Sequence, residues 1–600
     1  MSETIAAIVA AHRAGTVSPA QTVARSFARV RDHNDPAIFI SLRDEKQALA
    51  EADALSAKDA AQLPLYGIPV AVKDNIDVAG LPTTAACPAF TYMPARDATA
   101  VARLRAAGAI VIGKTNLDQF ATGLVGVRSP YGIPNNPLRG DLIPGGSSSG
   151  SAVAVSAGLV PLALGTDTAG SGRVPAMLNN IVGLKPSLGL ISTAGVVPAC
   201  RTLDCVSVLS LTVDDAIAAL NAMAGPDGAD PYSRHSPLAE MTAFPADLRL
   251  AVPRSGQLIF FGDNASEKAY GEALKRWTSL GATLVEFDLE PFHETARLLY
   301  EGPWVAERYL VIRDLLASSP DAIHPVTREI VIAGARLSAA DTFAALYRLQ
   351  ALRKSAERAF AGLDALVLPT APTVYSTAQV LANPIELNSR LGTYTNFVNL
   401  LDLCGLALPA AIRPDDIPFG ITLLAPAGRD AHLASIGRVF HADTKLPMGA
   451  GGSPQPPLAP LPVCMSGDEI AIAVVGAHLS GMALNCELKA LGGRLLEAAG
   501  TAPDYRLYAL PTTPPKPGML RVEAGTGFSI ELELWALAAA AFGKFVAAVP
   551  PPLSIGTVRL ADGRSVKGFI VEAADVDGAR DISAFGGWRA FVAEAAAARD

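Results

Sequence analysis

A proline-rich stretch without charged residues divides this chain into two unequal parts. No Asp, Glu, Lys or Arg occurs over residues 446–467, and six prolines fall there: Pro447, Pro454, Pro456, Pro457, Pro460 and Pro462. Proline has no amide donor and a fixed φ, so such a stretch does not form a helix or a central strand. We predict a large domain over residues 1–445, a semi-extended linker over 446–465 and a smaller domain over 466–600.

The composition predicts a folded, soluble protein of the cytoplasm. Of its 600 residues, 50% are hydrophobic and 18% are charged, against about 25% charged in typical domains, which excludes a disordered chain. The net charge of −8 disfavours a nucleic-acid partner, because phosphate binding needs clustered positive charge. Six cysteines without a CxxC pair fit a reducing compartment and argue against a cysteine zinc site. We expect no signal peptide, membrane span, metal or cofactor.

Helix and strand signals alternate along the first part. The residues Ser-Pro-Ala-Gln at 18–21 are typical of a helix start, with a capping serine followed by proline. The patterns further predict helices over residues 99–107 and 268–280, and strands over 109–112 and 282–285. This alternation favours an α/β fold with a mostly parallel mixed sheet, covered by helices.

The segment from Gly108 to Thr115 matches the letters of a phosphate-binding loop, GxxxxGKT. In such a loop the four variable residues curl around phosphate, and a strand precedes the first glycine. Here the four residues are Ala-Ile-Val-Ile, a predicted strand, and a predicted helix precedes the glycine. We interpret the match as coincidental and predict no nucleotide binding.

Two clusters of Gly and Ser flank an apolar, helix-like stretch over residues 152–164. The first cluster is PGGSSSGS at 144–151, and the second is GTDTAGSGR at 165–173. A flexible linker is the simplest interpretation, but the second cluster also carries an acid and a base, Asp167 and Arg173. Glycines let consecutive amides converge as an oxyanion hole, beside a serine nucleophile that needs a base.

The residues alone leave the identity of that base open. No histidine lies between His33 and His235, so a histidine would have to come from a distant part of the chain. Lys73 ends an apolar run, and burial would lower its pKa towards a neutral, basic form. An ion pair of Lys73 with Asp74 or Asp77 is equally consistent with the pattern.

Several motifs, in order along residues 20–440, resemble the amidase-signature family of serine hydrolases. They are GIPVAVKDN at 67–75, GKTNLDQF at 113–120, PGGSSSG at 144–150, GTDTAGSGR at 165–173, GLKP at 183–186 and PFG at 418–420. The resemblance implies an amidase-signature α/β core with a Ser–Ser–Lys triad, in which Ser171 is the nucleophile, Ser147 the bridging serine and Lys73 the base. It also implies an oxyanion hole from the amides of Thr168, Ala169, Gly170 and Ser171.

The chain departs from the commonest pattern of that family at three positions. Ala169 stands where Gly is usual, Gly172 stands where a branched apolar residue is usual, and Ser149 extends the serine run. All three implied triad residues are present, so the departures indicate a specialised pocket.

Three stretches are similar to allophanate hydrolases within that family: ATGLVGVRSPYG at 121–132, YEGPWVAERY at 300–309 and LGTYTNFVNL at 391–400. The resemblance implies hydrolysis of allophanate, a urea that bears a carboxylate, to ammonia and N-carboxycarbamate. Arg308 is the candidate partner of the carboxylate, because a guanidinium offers a planar fork, and Tyr300 and Gly123 would shape the site. From the residues alone, a surface ion pair of Arg308 with Glu307 or Asp314 is the simpler interpretation.

The part after the linker has the pattern of a smaller α+β domain. Strands are predicted over residues 470–475 and 566–571, and a helix over 536–541. A twisted barrel-like sheet similar to γ-glutamylcyclotransferase-type folds is one candidate. His478, the only histidine after the linker, lies in a glycine-bounded loop after a strand, where catalytic groups often occur. The resemblance implies decarboxylation of the first product with His478 as acid and base; a packed structural histidine, in a domain for docking or dimerisation only, is the alternative.

Other functions stay open on the sequence. They are a broad-specificity amidase for small amides, the glutaminase subunit of a tRNA-dependent amidotransferase, and a catalytically dead binding protein. The second needs nucleic-acid-binding partners and leaves the C-terminal domain unexplained; the third gives no reason to keep Lys73, Ser147 and Ser171 together. If the resemblance to allophanate hydrolases holds, we expect a homodimer that acts after a urea carboxylase or a biuret hydrolase.

Overall fold

The computed structural model describes residues 3–55, 60–236, 239–245, 248–459, 461, 465, 469–513 and 515–597. The chain separates into two compact units, one of residues 1–239 and 247–459 and one of residues 240–246 and 460–600. Residues 460 and 462–464 of the predicted linker lie outside the described residues. Its beginning is held within the first unit, since the side-chain amide of Asn180 donates to the carbonyls of Pro447 (2.8 Å) and Gly449 (3.1 Å). The linker and domain boundaries therefore stay a prediction.

The first unit is an α/β structure. Its α-helices are α1 (Ile5–Arg13), α2 (Pro19–His33), α3 (Glu45–Ala54), α4 (Thr99–Ala106), α5 (Ser149–Ser156), α6 (Arg173–Leu178), α7 (Val213–Met223), α8 (Asn264–Ser279), α9 (Glu290–Glu301), α10 (Trp304–Ser318), α11 (Pro325–Ile332), α12 (Ala339–Ala359), α13 (Thr377–Ala382), α14 (Glu386–Leu391) and α15 (Asp430–Thr444). Its strands are β1 (Phe39–Leu42), β2 (Pro69–Lys73), β3 (Ile110–Thr115), β4 (Leu162–Asp167), β5 (Val182–Lys185), β6 (Cys205–Ser210), β7 (Arg249–Pro253), β8 (Thr283–Phe287), β9 (Ala365–Pro369), β10 (Leu403–Ile412) and β11 (Pro418–Pro426). Short 3₁₀ segments lie at Ala60–Gln62, Pro88–Phe90, Gln119–Ala121, Pro320–Ala322 and Ala333–Arg336.

These strands form one mixed sheet in the order β1-β3-β2-β4-β6-β5-β10-β11-β9-β7-β8. Parallel pairs join β3, β2 and β4 near one end and β9, β7 and β8 at the other. Every pairing from β4 through β6, β5, β10 and β11 to β9 is antiparallel. The sheet is mixed as predicted, but the expectation that it is mostly parallel is wrong. Helices also separate strands of the antiparallel centre, such as α6 between β4 and β5, so helix–strand alternation along the chain does not fix the strand directions.

Local sequence signals are confirmed with shifts of one or a few residues. Helix α2 begins with the predicted cap, in which the Ser18 hydroxyl accepts from the Gln21 amide (3.1 Å) and the Gln21 side chain accepts from the Ser18 amide (2.8 Å). The stretch over residues 152–164 is not one helix, because α5 ends at Ser156, and Gly158 (φ +70°) turns the chain towards β4.

The GxxxxGKT segment connects a helix to a strand. Helix α4 ends at Ala106, Gly108 turns with a φ of +98°, and β3 begins at Ile110. Ile110, Val111 and Ile112 are therefore buried strand, and Ala109 directly precedes it, so these residues do not form the loop that a phosphate site needs.

Helix α5 lies in the core, directly after the first serine cluster. All of its residues are buried, and its Ala and Val side chains belong to the same apolar cluster as residues of α2 and α3. Small residues are required because the backbone approaches its neighbours closely. A Cβ on Gly150 would lie 2.7 Å from the amide nitrogen of Asn116 and still closer to the carbonyl oxygen of Ile38.

The second unit is an α+β structure. Its strands are β12 (Glu469–Val474), β13 (Arg494–Gly500), β14 (Tyr505–Leu510), β15 (Lys516–Arg521), β16 (Glu531–Ala538), β17 (Leu553–Arg559), β18 (Ser565–Val571) and β19 (Arg580–Asp581), and its helices are α16 (Asn485–Ala490), α17 (Ala539–Ala547) and α18 (Trp588–Ala597). One sheet has the order β13-β16-β12-β18-β17 and another the order β15-β14-β19. Similarity to γ-glutamylcyclotransferase-type folds stays a prediction.

The predicted helix over residues 536–541 is wrong in its first half. Strand β16 continues through Ala536 and Leu537, which pair with β12 and are fully buried, and α17 begins only at Ala539. Alanine favours a helix in isolation, but pairing with two neighbouring strands overrides that preference.

No single described helix is long and apolar enough to cross a membrane, although one pair bent by 99°, Pro325–Arg336 with Ala339–Ala359, reaches the required length and apolarity together.

We predict that Gly150→Ala lowers the Tm of the full chain, because the new methyl group must displace backbone atoms of Ile38 and Asn116. Overpacking of this kind costs about 1–3 kcal/mol of unfolding free energy. Differential scanning calorimetry measures the change, with Gly140→Ala as the matched control, since a Cβ on Gly140 meets no atom within 4 Å. Equal Tm values for the two variants would contradict the prediction.

Candidate active site

Lys73 is the last residue of β2, and its side chain is fully buried. Its Nζ donates to the hydroxyls of Ser147 (2.7 Å), Ser148 (3.0 Å) and Thr166 (2.8 Å). Thr166 belongs to β4, the parallel neighbour of β2. The sheet thus places the ammonium group against both serine-rich clusters, as the resemblance implies.

Burial lowers the pKa of Lys73 to about 7, although the negative charges of Asp118, Asp167 and Asp204 oppose the shift. Removing an ammonium group from water disfavours its charged form. A substantial neutral fraction therefore exists near neutral pH, and a neutral amine can accept a proton.

The alternative ion pairs of Lys73 do not form among the described residues. Asp74 is instead 3.1 Å from the Nζ of Lys114. Asp77 accepts a hydrogen bond from the hydroxyl of Thr83 (2.8 Å). In the described part of the chain, the Nζ of Lys73 has hydroxyl partners only.

Ser171 lies in the loop between β4 and α6 and is 3% exposed. Its hydroxyl donates to the carbonyl of Gly123 (3.4 Å), and within the described parts of the chain it has no hydrogen bond to Ser147. The two serine loops meet through their backbones, because the Ser148 amide donates to the carbonyl of Ser171 (3.3 Å). The contact between Lys73 and Ser147 is in place, whereas a relay from Ser171 to Ser147 requires the Ser171 hydroxyl to turn away from Gly123.

Asp167 and Arg173 form a buried, two-pronged ion pair that braces the Ser171 loop. The Nε and Nη2 of Arg173 each lie 3.0 Å from a carboxylate oxygen of Asp167. The same carboxylate accepts from the amides of Gly170 (2.8 Å) and Gly172 (3.1 Å). Burial alone would raise the pKa of Asp167, but Arg173 and these donors bring it below its usual value. Asp167 therefore stays ionised, with its oxygens occupied by the loop.

The amides of the implied oxyanion hole divide into two groups. The Gly170 amide is already bound to Asp167, which corrects its assignment as an oxyanion donor. The amides of Thr168, Ala169 and Ser171 have no partner among the described residues. Gly170 has a φ of +122°, a conformation that L side chains rarely adopt. Three amides thus stay available for a negatively charged oxygen.

Asp118 organises the loop that contains Gly123, and sequence reasoning did not single it out. Its carboxylate accepts from the amides of Val125 (3.2 Å), Gly126 (2.9 Å) and Arg128 (2.9 Å). A Cβ on Gly123 would come within 2.6 Å of this carboxylate. The signal was present in the GKTNLDQF motif, as an acid shortly before a glycine-containing turn.

Arg308 is buried beside the same loop and is not a surface charge. The alternative pairing with Glu307 or Asp314 is wrong, because Arg308 is only 3% exposed and its Nη1 donates to the hydroxyl of Thr122 (3.1 Å) and the carbonyl of Ala121 (3.3 Å). Its Nε has no hydrogen-bond partner among the described residues. A buried guanidinium with an open donor is suited to an anion.

Tyr300 lies next to Arg308 although the two belong to different helices. Helix α9 ends at Glu301 and α10 begins at Trp304, so the Gly-Pro pair between them interrupts the helix. The guanidinium carbon of Arg308 is 5.6 Å from the centroid of the Tyr300 ring, within the range of a cation–π interaction. The break brings together two side chains that a continuous helix would point in different directions.

Asp204 is a second acid that sequence reasoning did not identify. It is 8% exposed, and burial raises its pKa to about 6. Its carboxylate accepts from the Thr168 hydroxyl and from the amides of Ala199 (2.7 Å) and Cys200 (3.2 Å). Asp204 therefore ties the start of the Ser171 loop to the chain around Ala199 and Cys200.

A cavity of about 970 Å³ also lies in the first unit, with Leu203, Trp304 and Glu307 among its lining residues. None of the implied triad residues lines it. The candidate active site is placed at Lys73 and Ser171 because the hydroxyls, the ammonium group and the free amides converge there.

His478 lines a cavity of about 220 Å³ in the second unit. Its Nε2 lies 3.0 Å from a carboxylate oxygen of Glu487, and its ring stacks on Phe569 with centroids 5.4 Å apart. The structure places His478 at a cavity wall, with an acid holding one ring nitrogen. Within the described residues, no group of three or more His, Cys, Asp or Glu side chains is arranged to hold a metal ion.

Models of two known protein families match separate stretches of the chain. A model of the amidase family matches residues 21–434, and a model of the allophanate hydrolase C-terminal domain matches residues 470–593. The urea amidolyase of Lachancea kluyveri is 43% identical over 577 residues, which are 93% of this chain and 31% of that protein. The chain thus spans about a third of the length of this relative.

Two further matches differ in how much of the chain they cover. The solved structure of an allophanate hydrolase from Kluyveromyces lactis is 41% identical, with a TM-score of 0.86, and the match covers 99% of both chains. A glutamyl-tRNA(Gln) amidotransferase subunit from Symbiobacterium thermophilum is 37% identical over 414 residues, 64% of this chain and 84% of that protein.

We predict that amidase activity rises with pH through about 7, because only the neutral form of Lys73 accepts a proton and its pKa is about 7. Well below that pH, kcat/KM should fall about tenfold per unit, as expected for the loss of one essential base. Ammonia release between pH 5 and 9 measures the profile. Asp204, with a pKa of about 6, is the competing group, so the control is Asp204→Asn. Because the charge of Asp204 raises the pKa of Lys73, the limb should move to lower pH in this variant. A limb that is lost altogether would contradict the assignment to Lys73.

Proposed function

The chain belongs to the amidase family, and from this premise we propose that it hydrolyses allophanate, releasing ammonia and leaving N-carboxycarbamate. The observation that carries the proposal is the buried guanidinium of Arg308, whose Nε has no partner among the described residues. Arg308 binds the backbone of Ala121 and the hydroxyl of Thr122, and the next residue, Gly123, accepts the hydrogen bond of Ser171. The candidate anion site and the candidate nucleophile therefore adjoin one short loop.

Allophanate carries a carboxylate at one end and an amide at the other, so it needs a cation close to a hydrolytic centre. A guanidinium holds a carboxylate with two parallel hydrogen bonds. In the proposed complex Arg308 binds the carboxylate, Tyr300 packs on the guanidinium, and the backbone at Gly123 positions the amide. A neutral amide of similar size lacks the group that Arg308 recognises.

The proposed reaction begins when the Ser171 oxygen attacks the carbonyl carbon of the terminal amide. Its proton passes through Ser147 to neutral Lys73, and the amides of Thr168, Ala169 and Ser171 stabilise the oxyanion. Lys73 returns the proton to the leaving nitrogen, and ammonia departs. Water activated by the same groups then hydrolyses the acyl-enzyme and frees Ser171.

We further propose that the domain after the linker promotes decarboxylation of N-carboxycarbamate, with His478 as the acid and base. The match of residues 470–593 to the allophanate hydrolase C-terminal domain supports this proposal, as does the position of His478 at a cavity wall. The glutaminase subunit of a tRNA-dependent amidotransferase has less support, because the matching amidotransferase subunit covers only 64% of this chain.

The wider context is proposed on the same basis. The domains are residues 1–445 and 466–600, joined by a linker over 446–465. The enzyme acts in the cytoplasm as a homodimer on a small anionic substrate, without a nucleic-acid or membrane partner. A urea carboxylase or a biuret hydrolase supplies the allophanate.

We expect Ser171→Ala to reduce ammonia release from allophanate at least about 10³-fold, because the nucleophile is lost. The matched control is Ser149→Ala, since Ser149 is buried in the same region and its hydroxyl donates to the carbonyl of Asn116 (3.4 Å) rather than contacting Lys73. Initial rates in a coupled ammonia assay measure both variants. Substantial activity in Ser171→Ala would remove Ser171 from the role of nucleophile.

Arg308→Lys should raise the KM for allophanate about tenfold, because a lysine keeps the charge but loses the planar fork. The KM for biuret, a neutral amide of similar size, should change far less. Steady-state kinetics with both substrates measure the ratio. An equal rise for the two substrates would show that Arg308 supports the fold of the pocket and does not recognise the carboxylate.

A further inference from the structure

The peptide that joins Ala169 to Gly170 lies between two of the three open amides of the Ser171 loop. Its carbonyl oxygen accepts a hydrogen bond from the hydroxyl of Thr395 (2.6 Å), and its N–H donates to Asp167 (2.8 Å). Within the described residues, this carbonyl has no other donor. The orientation of the peptide therefore depends on two side chains, one in the loop itself and one that is 226 residues further along the chain than Ala169.

Gly170 is the residue at which this peptide can rotate. Its φ is +122°, and a Cβ there would lie 2.5 Å from the hydroxyl oxygen of Thr395 and 2.7 Å from its Cβ, so the close packing requires glycine. Glycine adopts positive and negative φ with similar ease. Rotation of the peptide plane changes φ of Gly170 and ψ of Ala169, so the backbone itself offers little resistance. The hydrogen bonds to Thr395 and Asp167 select the observed orientation.

Thr395 is held in place by contacts of its own backbone. It is fully buried, its amide donates to the carbonyl of Gly392 (3.1 Å), and its carbonyl accepts from Nη2 of Arg173 (3.3 Å). The hydroxyl thus reaches Ala169 from a stretch of backbone that Arg173 joins to the same loop. A substitution that removes only the hydroxyl leaves these backbone contacts available.

We propose that Thr395 is a positioning residue of the oxyanion hole: its hydroxyl holds the carbonyl of Ala169 turned away from the developing negative charge, so that the amides of Ala169 and Ser171 stay directed at that charge. The inference rests on the proposed function, in which those amides stabilise the oxyanion. A carbonyl oxygen carries a partial negative charge, so a rotated peptide would repel the oxyanion. Stabilisation of an oxyanion depends on dipoles that are fixed before the reaction begins, and the Thr395 hydrogen bond provides this fixation.

The proposal predicts a loss of kcat without a matching change of KM. The oxyanion forms only when Ser171 attacks, and the bound amide carries no such charge, so the loop amides act mainly on the transition state. Thr395→Val keeps the branching of the side chain and removes the hydroxyl. We expect kcat for ammonia release from allophanate to fall about tenfold to a hundredfold, less than the loss of about 10²–10³ that follows removal of an oxyanion donor, with KM within about twofold of its original value.

Two further variants separate the hydroxyl from the packing of the side chain. Thr395→Ser keeps the donor and should recover most of kcat. Thr395→Cys has only a weak S–H donor and should fall between the serine and valine variants, so it decides the question if Thr395→Val does not fold. Equal rates in the serine and cysteine variants, or equal losses in the serine and valine variants, would overturn the role of the hydroxyl.

The matched control is Thr295→Val. Thr295 is also fully buried in the first unit, and its hydroxyl also donates to a backbone carbonyl, that of Pro291 within α9 (2.8 Å). This variant therefore loses the same kind of hydrogen bond outside the Ser171 loop and should keep kcat near its original value. An equal fall of kcat in the two valine variants would overturn the proposal, as would a rise of KM that accounts for the whole loss of kcat/KM in Thr395→Val.

A fluorophosphonate tests the same loop without allophanate. In its reaction the Ser171 oxygen bonds to phosphorus, the serine proton passes to Lys73, the P–F bond breaks and fluoride leaves, while the P=O oxygen takes the place of the oxyanion. Intact-protein mass spectrometry measures the rate constant. We expect it to fall in Thr395→Val by about the same factor as kcat and to stay near its original value in Thr295→Val.

The two experiments separate the role of Thr395 from the identity of the substrate. An unchanged rate of phosphonylation in Thr395→Val would overturn the proposal. If the unmodified chain releases no ammonia from allophanate, the proposed function fails, and the phosphonylation rates still decide whether Thr395 positions the loop.

Discussion

The ion pair between Asp167 and Arg173 is the interaction on which the candidate amidase site depends. Both side chains are fully buried, so each charge is stabilised only by its partner and its hydrogen bonds. Asp167 holds the amides on both sides of Ser171, and Arg173 reaches the carbonyl of Thr395 (3.3 Å). The side chain of Asn399 donates to the carbonyls of Asp167 and Leu203, each at 2.8 Å. A single salt bridge thus ties the serine loop to the sheet and to the 391–400 stretch.

Much of this organisation could be predicted from the sequence, because the residues that form it are close together in the chain. The capping box of α2 and the bracing by Asp167 and Arg173 rest on contacts within a few residues, and the strand predicted over 109–112 is marked by a run of adjacent apolar residues. Small residues in the clusters indicated close packing, and Gly150 and Gly170 occupy positions where a side chain is obstructed. Lys73 is a candidate base because it ends an apolar run. That its ammonium group binds hydroxyls and not Asp74 is visible only in the structure.

The other parts of the fold and of the candidate site depend on contacts between residues that are distant in the chain, and a local sequence pattern does not contain these contacts. Strand order places β10 between β5 and β11, so antiparallel pairing at the centre was missed. Asp204 and Asp118 lie outside both serine clusters in the sequence, and their roles follow from burial and backbone donors. The Ala-rich end of β16 resembles a helix because alanine has a high intrinsic helix propensity. Its pairing with β12 and β13 is not visible in the local sequence. For Arg308, the family resemblance predicted a place in the substrate pocket, whereas the residues alone favoured an ion pair at the surface.

The three hydrogen bonds of Lys73 have a consequence for the order of events in its site. An ammonium group has three protons, and each one is directed at a different oxygen, on Ser147, Ser148 and Thr166. The three oxygens thus match the three protons of the ammonium form, and in the neutral amine one of these hydroxyls faces the nitrogen lone pair instead. Ser148 directs its own proton to the carbonyl of Thr166 (3.2 Å), and Thr166 already accepts a second hydrogen bond from Asn75 (3.3 Å). The Ser147 hydroxyl is therefore the one that can change from acceptor to donor. When Lys73 loses a proton and this hydroxyl rotates, Ser147 donates to Lys73 and can accept a proton in turn.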